Sequence, residues 1–198
     1  MIGKLEINYL MIIIEGFQKV RQQLISKINL ALKTKLIVIL FVGITSCYAA
    51  NVQKVIEFFS FTCTHCMAVE PKLQNLLIKT NAKYAPVVVP FNEKEVPVAM
   101  VYYACIRKNL GWQFRNAYFQ ALQDGYPAND PRTVIQVLSQ ITNKPMDILS
   151  YSQSQDVVDK LNDDKVLIKK FNVTSTPTFV INGSIKLEGD NALDGLLQ

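Results

Sequence analysis

Histidine is nearly absent from these 198 residues: there is one, His65, alongside one tryptophan and four cysteines. That scarcity excludes most metal chemistry, because a structural zinc site takes four Cys or His ligands and a catalytic one three. Cys63 and Cys66 lie close in sequence, but beyond the leading segment only Cys105 and His65 remain to complete a set, so neither a metal nor an organic cofactor is expected. Haem attachment would need histidine directly after the second cysteine of the pair, and that position is Met67. No internal repeat is present. The apolar run 36–44 is too short for a membrane helix, which needs about 20 apolar residues.

A lasting excess of positive charge is also missing. The chain carries +5 overall, but six of its 21 Lys and Arg and two of its 16 Asp and Glu precede residue 51. The remaining 15 and 14 nearly cancel, so residues 51–198 give no support for nucleic-acid binding.

What the first fifty residues do contain is an ordered signal. Lys33, Thr34 and Lys35 lead into the apolar run, and small residues follow at 46–50, the layout of a cleaved secretory segment. Two processing routes fit. Cys47 and Ala49 have the spacing of an ordinary signal-peptidase site, which is the expected route, while Ile44-Thr45-Ser46-Cys47 resembles a lipobox that would leave Cys47 lipid-anchored. The lead 1–32 is long for such a segment and has its own apolar patch at 10–14, with Met11 a candidate internal start. Export implies the periplasm of a bacterial envelope, where disulfides form and persist. The exported part then holds one close cysteine pair and one leftover, Cys105, which reads as a small apolar core residue.

After the signal, 55–59 reads as a short buried strand and 63–79 as a helix carrying Pro71, which should kink it. A second buried strand is expected over 86–91 from the unalternating run at Val87, Val88 and Val89. From 96 to 170 the pattern is helical, with breaks at 109–111, 125–129 and 143–145, and Asp130 before Pro131 as an N-cap. The last of these helices puts Val157, Leu161, Leu167 and Ile168 on one face and Asp156, Asp159, Asp163 and Asp164 largely on others. Strands at 178–181 and 184–187 flank Asn182-Gly183, a type I′ hairpin pair, and a short helix is expected over 191–198. The order is a βαβ half and a ββα half with helices between them, an α/β thioredoxin plan with an inserted helical domain. The expected division is a targeting segment 1–50, a thioredoxin-like domain 51–94 and 151–198, and a helical insertion 95–150.

Cys63-Thr64-His65-Cys66 follows the first strand and opens the first helix, where free N–H groups and the helix dipole favour an anion. Cys63 is expected to be exposed and nucleophilic, Cys66 buried and resolving. His65 between them would lower the Cys63 pKa further, and each unit below ambient pH stabilises the reduced form by about 1.4 kcal/mol, roughly 30 mV for a two-electron couple. Phe58, Phe59 and Phe61 are expected to add an apolar surface near the pair; Trp112, Phe114, Tyr118 and Phe119 read as core and surface aromatics.

The segment from Glu57 through Phe58-Phe59-Ser60-Phe61-Thr62 to Cys66 resembles the active-site segment of the DsbA family, and 173–180 with Asn182-Gly183 is similar to its cis-proline loop and hairpin. The resemblance covers about 52–187, weakly in the middle. It departs in two places: Thr64 stands where the family has proline, and Thr176 where its oxidases usually carry valine and the related isomerases often threonine. The resemblance implies that Pro177 is cis and faces the dithiol, and that the Thr176 backbone pairs with an extended substrate. It also implies that Glu57 is a buried acid able to relay a proton to Cys66, with Lys83 as a loose candidate for its charge partner. The implied activity is oxidation of reduced, unfolded exported proteins by a monomer that a DsbB-like membrane quinone reductase reoxidises. A disulfide isomerase or reductase is the nearest alternative, and a non-catalytic envelope chaperone a more distant one.

Overall fold

The computed structural model describes residues 52–197, so the targeting segment, with Cys47 and its two processing routes, lies outside the described residues. Four strands form one sheet in the order β2-β1-β3-β4. The central pair is β1 (Lys54–Phe59) and β3 (Thr178–Ile181), antiparallel, with Glu57 opposite Phe179. Edge strand β2 (Lys83–Val88) runs parallel to β1, and β4 (Ile185–Glu188) closes the other edge as a hairpin with β3. Asn182 and Gly183 supply the positive φ of 51° and 79° that this turn demands, and the Asn182 side chain accepts from the backbone N–H groups of Gln53 and Lys54.

Helix α1 (Thr64–Thr80) joins β1 to β2 and continues through Pro71. Between β2 and the second half of the sheet stand α2 (Val96–Arg107), α3 (Gly111–Gln123), α4 (Pro131–Ile141) and α5 (Pro145–Ser152), followed by α6 (Gln155–Lys170). The three expected breaks fall between these helices; a fourth, at Gln153 and Ser154, carries no Gly or Pro to announce it. Asp130 does cap α4, its carboxylate accepting from Arg132 N–H at 2.8 Å.

β1 is covered on both faces, which is why its apolar run does not alternate. One face packs Val55 and Phe179 against Val69, Leu73 and Leu76 of α1. The other packs Ile56, Phe58, Val87 and Val180 against Leu167, Ile168 and Phe171 at the end of α6. The β1 terminus, Phe59, enters a third cluster built with the inserted helices, where Phe61 meets the rings of Phe59, Tyr102, Phe114, Tyr118 and Phe119.

Several sequence-based expectations need correction here. Strand β2 starts three residues earlier than expected and ends before Val89: its first half lies at a partly exposed edge, so polarity hid it, and Pro86 is tolerated because an edge strand can spare an N–H. Phe58, Phe59 and Phe61 form no surface patch; all three are buried, since a strand covered on both faces leaves none to solvent. The tail makes only a single turn at Asp194–Leu196, anchored by the fully buried Leu193. Asp164 is buried, because 157, 161, 164 and 168 share one helical face, and it takes a hydrogen bond from the Tyr103 hydroxyl and an ion pair from Lys160.

Tyr103 also accepts from the Val88 N–H at 2.8 Å, so one hydroxyl ties α2, β2 and α6 together. Tyr103→Phe leaves a buried donor and a buried acceptor unmatched and should lower stability by about 1–3 kcal/mol. Urea unfolding of the two proteins measures this, and coincident midpoints would show the hydroxyl to be idle.

Candidate active site

The site begins where β1 delivers the chain to α1. Cys63 occupies the N-cap of α1 with extended backbone (φ −88°, ψ 113°), and its carbonyl accepts from Cys66 N–H at 3.1 Å, closing the first turn over the pair. Both thiols are free, but their surroundings differ: Cys63 is half-buried and Cys66 fully buried.

That difference is reflected in their acidity. Cys63 is lowered to about 5, first by the hydrogen bond from the Cys66 thiol; burial opposes this, and the Thr176 side chain and the N–H groups of Cys66 and His65 add to it. Cys66 is driven far above the ordinary thiol range by burial, then by its bond to Cys63, with the Glu57 charge also raising it. Cys105, in the insertion core, is pushed up to about 12 by burial alone.

Across from the dithiol, the Thr176–Pro177 peptide is cis, and the Thr176 carbonyl lies 3.3 Å from Cys63 Sγ. β3 starts immediately after, beside β1, so the sheet itself brings residues 63 and 176 together. His65 is placed differently from expectation: its imidazole turns out to solvent, Nδ1 standing 3.2 Å from Asp190 Oδ2. What His65 presents to the Cys63 sulfur is its backbone N–H.

Glu57 is buried beneath the pair, but Lys83 is not its partner. Lys83 sits exposed at the outer end of β2, in register with Lys54. The cation comes from the inserted helix α3: Arg115 grips Glu57 with two parallel bonds of 2.6 and 2.8 Å, reaches Glu70 of α1 at 2.6 Å, and lies 4.1 Å over the Phe59 ring. Tyr84 donates to the same Glu57 carboxylate and stacks on Trp112. Two bonds from Arg115 and the Tyr84 hydroxyl occupy the Glu57 carboxylate oxygens. Glu70 is raised by desolvation first, partly offset by Arg115.

Arg115, Glu70 and Tyr84 were missed in the sequence. The signal for Arg115 was there: it lies on the buried stripe of α3 with Phe114, Tyr118 and Phe119, where a charge needs a buried partner. Among the described residues no group of three or more metal-ligating side chains comes together.

A close dithiol at a helix N-terminus faces a cis-proline in a thioredoxin-like sheet with inserted helices. Residues 48–197 match the family model described as thioredoxin, and the chain belongs to that family. It is 26% identical over 141 residues to the thiol:disulfide interchange protein DsbA of Burkholderia cepacia, a match that takes in 69% of this chain and 66% of that protein. This chain thus spans just under two thirds of that relative's length. DsbA of Xylella fastidiosa superposes with a TM-score of 0.64 at 21% identity, over 73% of this chain and 80% of that one. DsbA of Pseudomonas aeruginosa gives 0.57 at 23% identity, over 70% and 76%.

Two outcomes are expected from this geometry. Alkylation of the reduced protein should occur at Cys63 alone, with a pH midpoint near 5, while buried Cys66 and Cys105 stay silent. Because the folded pKa is depressed, the stabilisation from Cys63 is complete above the unfolded thiol pKa and is lost as pH falls through about 5. The stability gap between the reduced protein and Cys63→Ser should therefore widen from pH 5 towards 9; a flat gap would contradict it. Separately, Arg115→Leu strands Glu57 and should cost about 3–5 kcal/mol in denaturant unfolding, much of it recovered when Glu57→Gln is added. A double variant no more stable than the single one would sever the two residues' dependence.

Proposed function

We propose that this protein is a thiol oxidant of the bacterial periplasm that forms disulfides in reduced, unfolded exported proteins through Cys63 and Cys66. The observation that carries the reading is the split between the two thiols, Cys63 lowered to about 5 and Cys66 driven far up within one helical turn.

In the oxidised protein a client thiolate attacks Cys63 Sγ. The Cys63–Cys66 bond breaks, its electron pair moves to the Cys66 sulfur, and that sulfur takes up a proton, as its raised pKa favours. The client is now joined to Cys63 by a mixed disulfide. A second client thiolate attacks the client sulfur of that bond, and the electron pair leaves on Cys63, a good leaving group because its anion is held by donors. The client departs oxidised and the protein reduced by two electrons. Thr176 and Pro177 bound the other side of the exposed sulfur and would receive the client backbone as an added strand. Glu57, gripped by Arg115 beneath the pair, raises the Cys66 pKa and in this reading relays the proton that Cys66 takes up.

Reoxidation falls to a DsbB-like membrane quinone reductase, and the working unit is a monomer. The division into a thioredoxin-like part, 51–94 and 151–198, around a helical insertion 95–150 belongs to the same proposal. Among the described residues no helix is long and apolar enough to cross a membrane. Segment 1–50 provides the export signal in this reading, by ordinary cleavage or through a lipidated Cys47.

Thr176 before the cis-proline favours a second reading, an isomerase or reductase kept reduced by a membrane donor. Equilibration with glutathione separates the two. The oxidant should have a potential nearer the roughly −120 mV of the DsbA type than the roughly −270 mV of thioredoxin, and should oxidise a reduced unfolded protein stoichiometrically. A thioredoxin-like potential without client oxidation supports the reductive reading. Client rescue that survives Cys63→Ser would point to a chaperone.

A further inference from the structure

Glu95 is buried, and among the described residues no cation pairs with it. It ends the short turn Glu93–Glu95 and stands at the N-cap position of α2 without a side-chain bond to that helix, where the positive end of the helix dipole favours a carboxylate. Four neutral donors surround its side chain. Oε2 accepts from Ser60 Oγ at 3.0 Å and from Phe91 N–H at 3.2 Å; Oε1 accepts from Thr62 Oγ1 at 3.2 Å and from Asn92 Nδ2 at 2.8 Å. Ser60 Oγ in turn accepts from Thr62 N–H at 3.1 Å.

The loop held this way is the one that carries the dithiol. The Ser60 carbonyl accepts from Cys63 N–H at 3.3 Å. One carboxylate at the start of the inserted helices therefore reaches the Cys63 backbone through a single residue. Burying such an acceptor costs several kcal/mol unless it is fully satisfied, so its four donors are held to it firmly.

We propose that Glu95 is a positioning residue for the redox pair, fixing the 60–62 loop so that Cys63 meets the donors that hold its thiolate. The inference rests on the redox role proposed above, and it adds that the insertion governs the reactivity of the dithiol through this carboxylate. A carboxylate only accepts, so all four partners must donate to it; an amide of the same shape offers one accepting oxygen and two N–H groups that face donors.

The test uses the full exported chain, reduced, with the Cys63 thiolate followed by its ultraviolet absorbance against pH. Glu95→Gln should raise the Cys63 midpoint by about one unit, leaving about tenfold less thiolate at a fixed pH below it. Thr62→Val, at an exposed position that threatens folding little, removes one donor and should move the midpoint the same way by less. If Glu95→Gln does not fold, Thr62→Val decides. A variant that loses stability while its Cys63 titration stays on the wild-type curve makes Glu95 merely structural and overturns the proposal. Because no client is present, failure of the wild-type protein to oxidise a reduced client would sink the functional reading without touching this result.

Discussion

The site depends on the contrast between a buried thiol, Cys66, and a half-buried one, Cys63, within a single helical turn. Two thiols in one helical turn could hold their protons in either order, and here burial decides. Charge on Cys66 would have to be created in the apolar interior, so Cys66 keeps its proton beside its neighbour. That retained proton is the largest influence holding Cys63 as an anion. The low acidity constant of one thiol and the high one of the other are a single interaction seen from both ends, and whatever seals Cys66 also sets the reactivity of Cys63.

What seals it is largely the helical insertion. Cys66 lies in one apolar cluster with Phe59, Phe61 and the inner faces of α2 and α3. The same helices send Arg115 to the carboxylates beneath the pair, and the turn before α2 sends Glu95 to the loop above it. A buried ion pair is weak evidence of stability, because desolvation consumes most of its attraction. Its firmer consequence is geometric: a guanidinium gripped by β1 and α1 admits few alternative placements of α3. The start of α1 supplies the two sulfurs and the segment before β3 the cis-proline, and the inserted helices supply the environment that makes the sulfurs unequal.

The parts of the fold that were legible in the sequence are those governed by local rules. The junction of β1 and α1, the Asn182-Gly183 turn, the cap at Asp130 and three of the four interhelical breaks rest on backbone preferences that a short segment displays by itself. The expectations that failed depended on what lies opposite in space. Apolar content alone cannot say whether Phe58, Phe59 and Phe61 face solvent or a second layer; the end of α6 covers Phe58, and the inserted helices cover Phe59 and Phe61. Lys83 was nearer to Glu57 in the expected chain order, but Arg115, 58 positions away, is the residue the fold delivers. Asp164 was read by its charge although its spacing put it on the apolar face. For Glu95 only half of the setting is local: Phe91 and Asn92 precede it by four and three residues, while Ser60 and Thr62 come from the distant loop before α1.

His65 shows the same limit at the heart of the motif. Its position between the cysteines suggested an imidazole beside the sulfur, whereas the ring pairs with Asp190, in the segment after β4, which also takes a bond from Lys72 at its carbonyl. An exposed pair of this kind is worth little and is screened by salt. The imidazole is thus a changeable neighbour of the dithiol, while the His65 N–H, fixed by the helix, is a permanent one. None of the contacts that hold the Cys63 anion uses the residue at position 64. Threonine there, in place of the family's proline, leaves the main source of the thiolate's stability intact, because that source is the first turn of the helix and the buried thiol inside it.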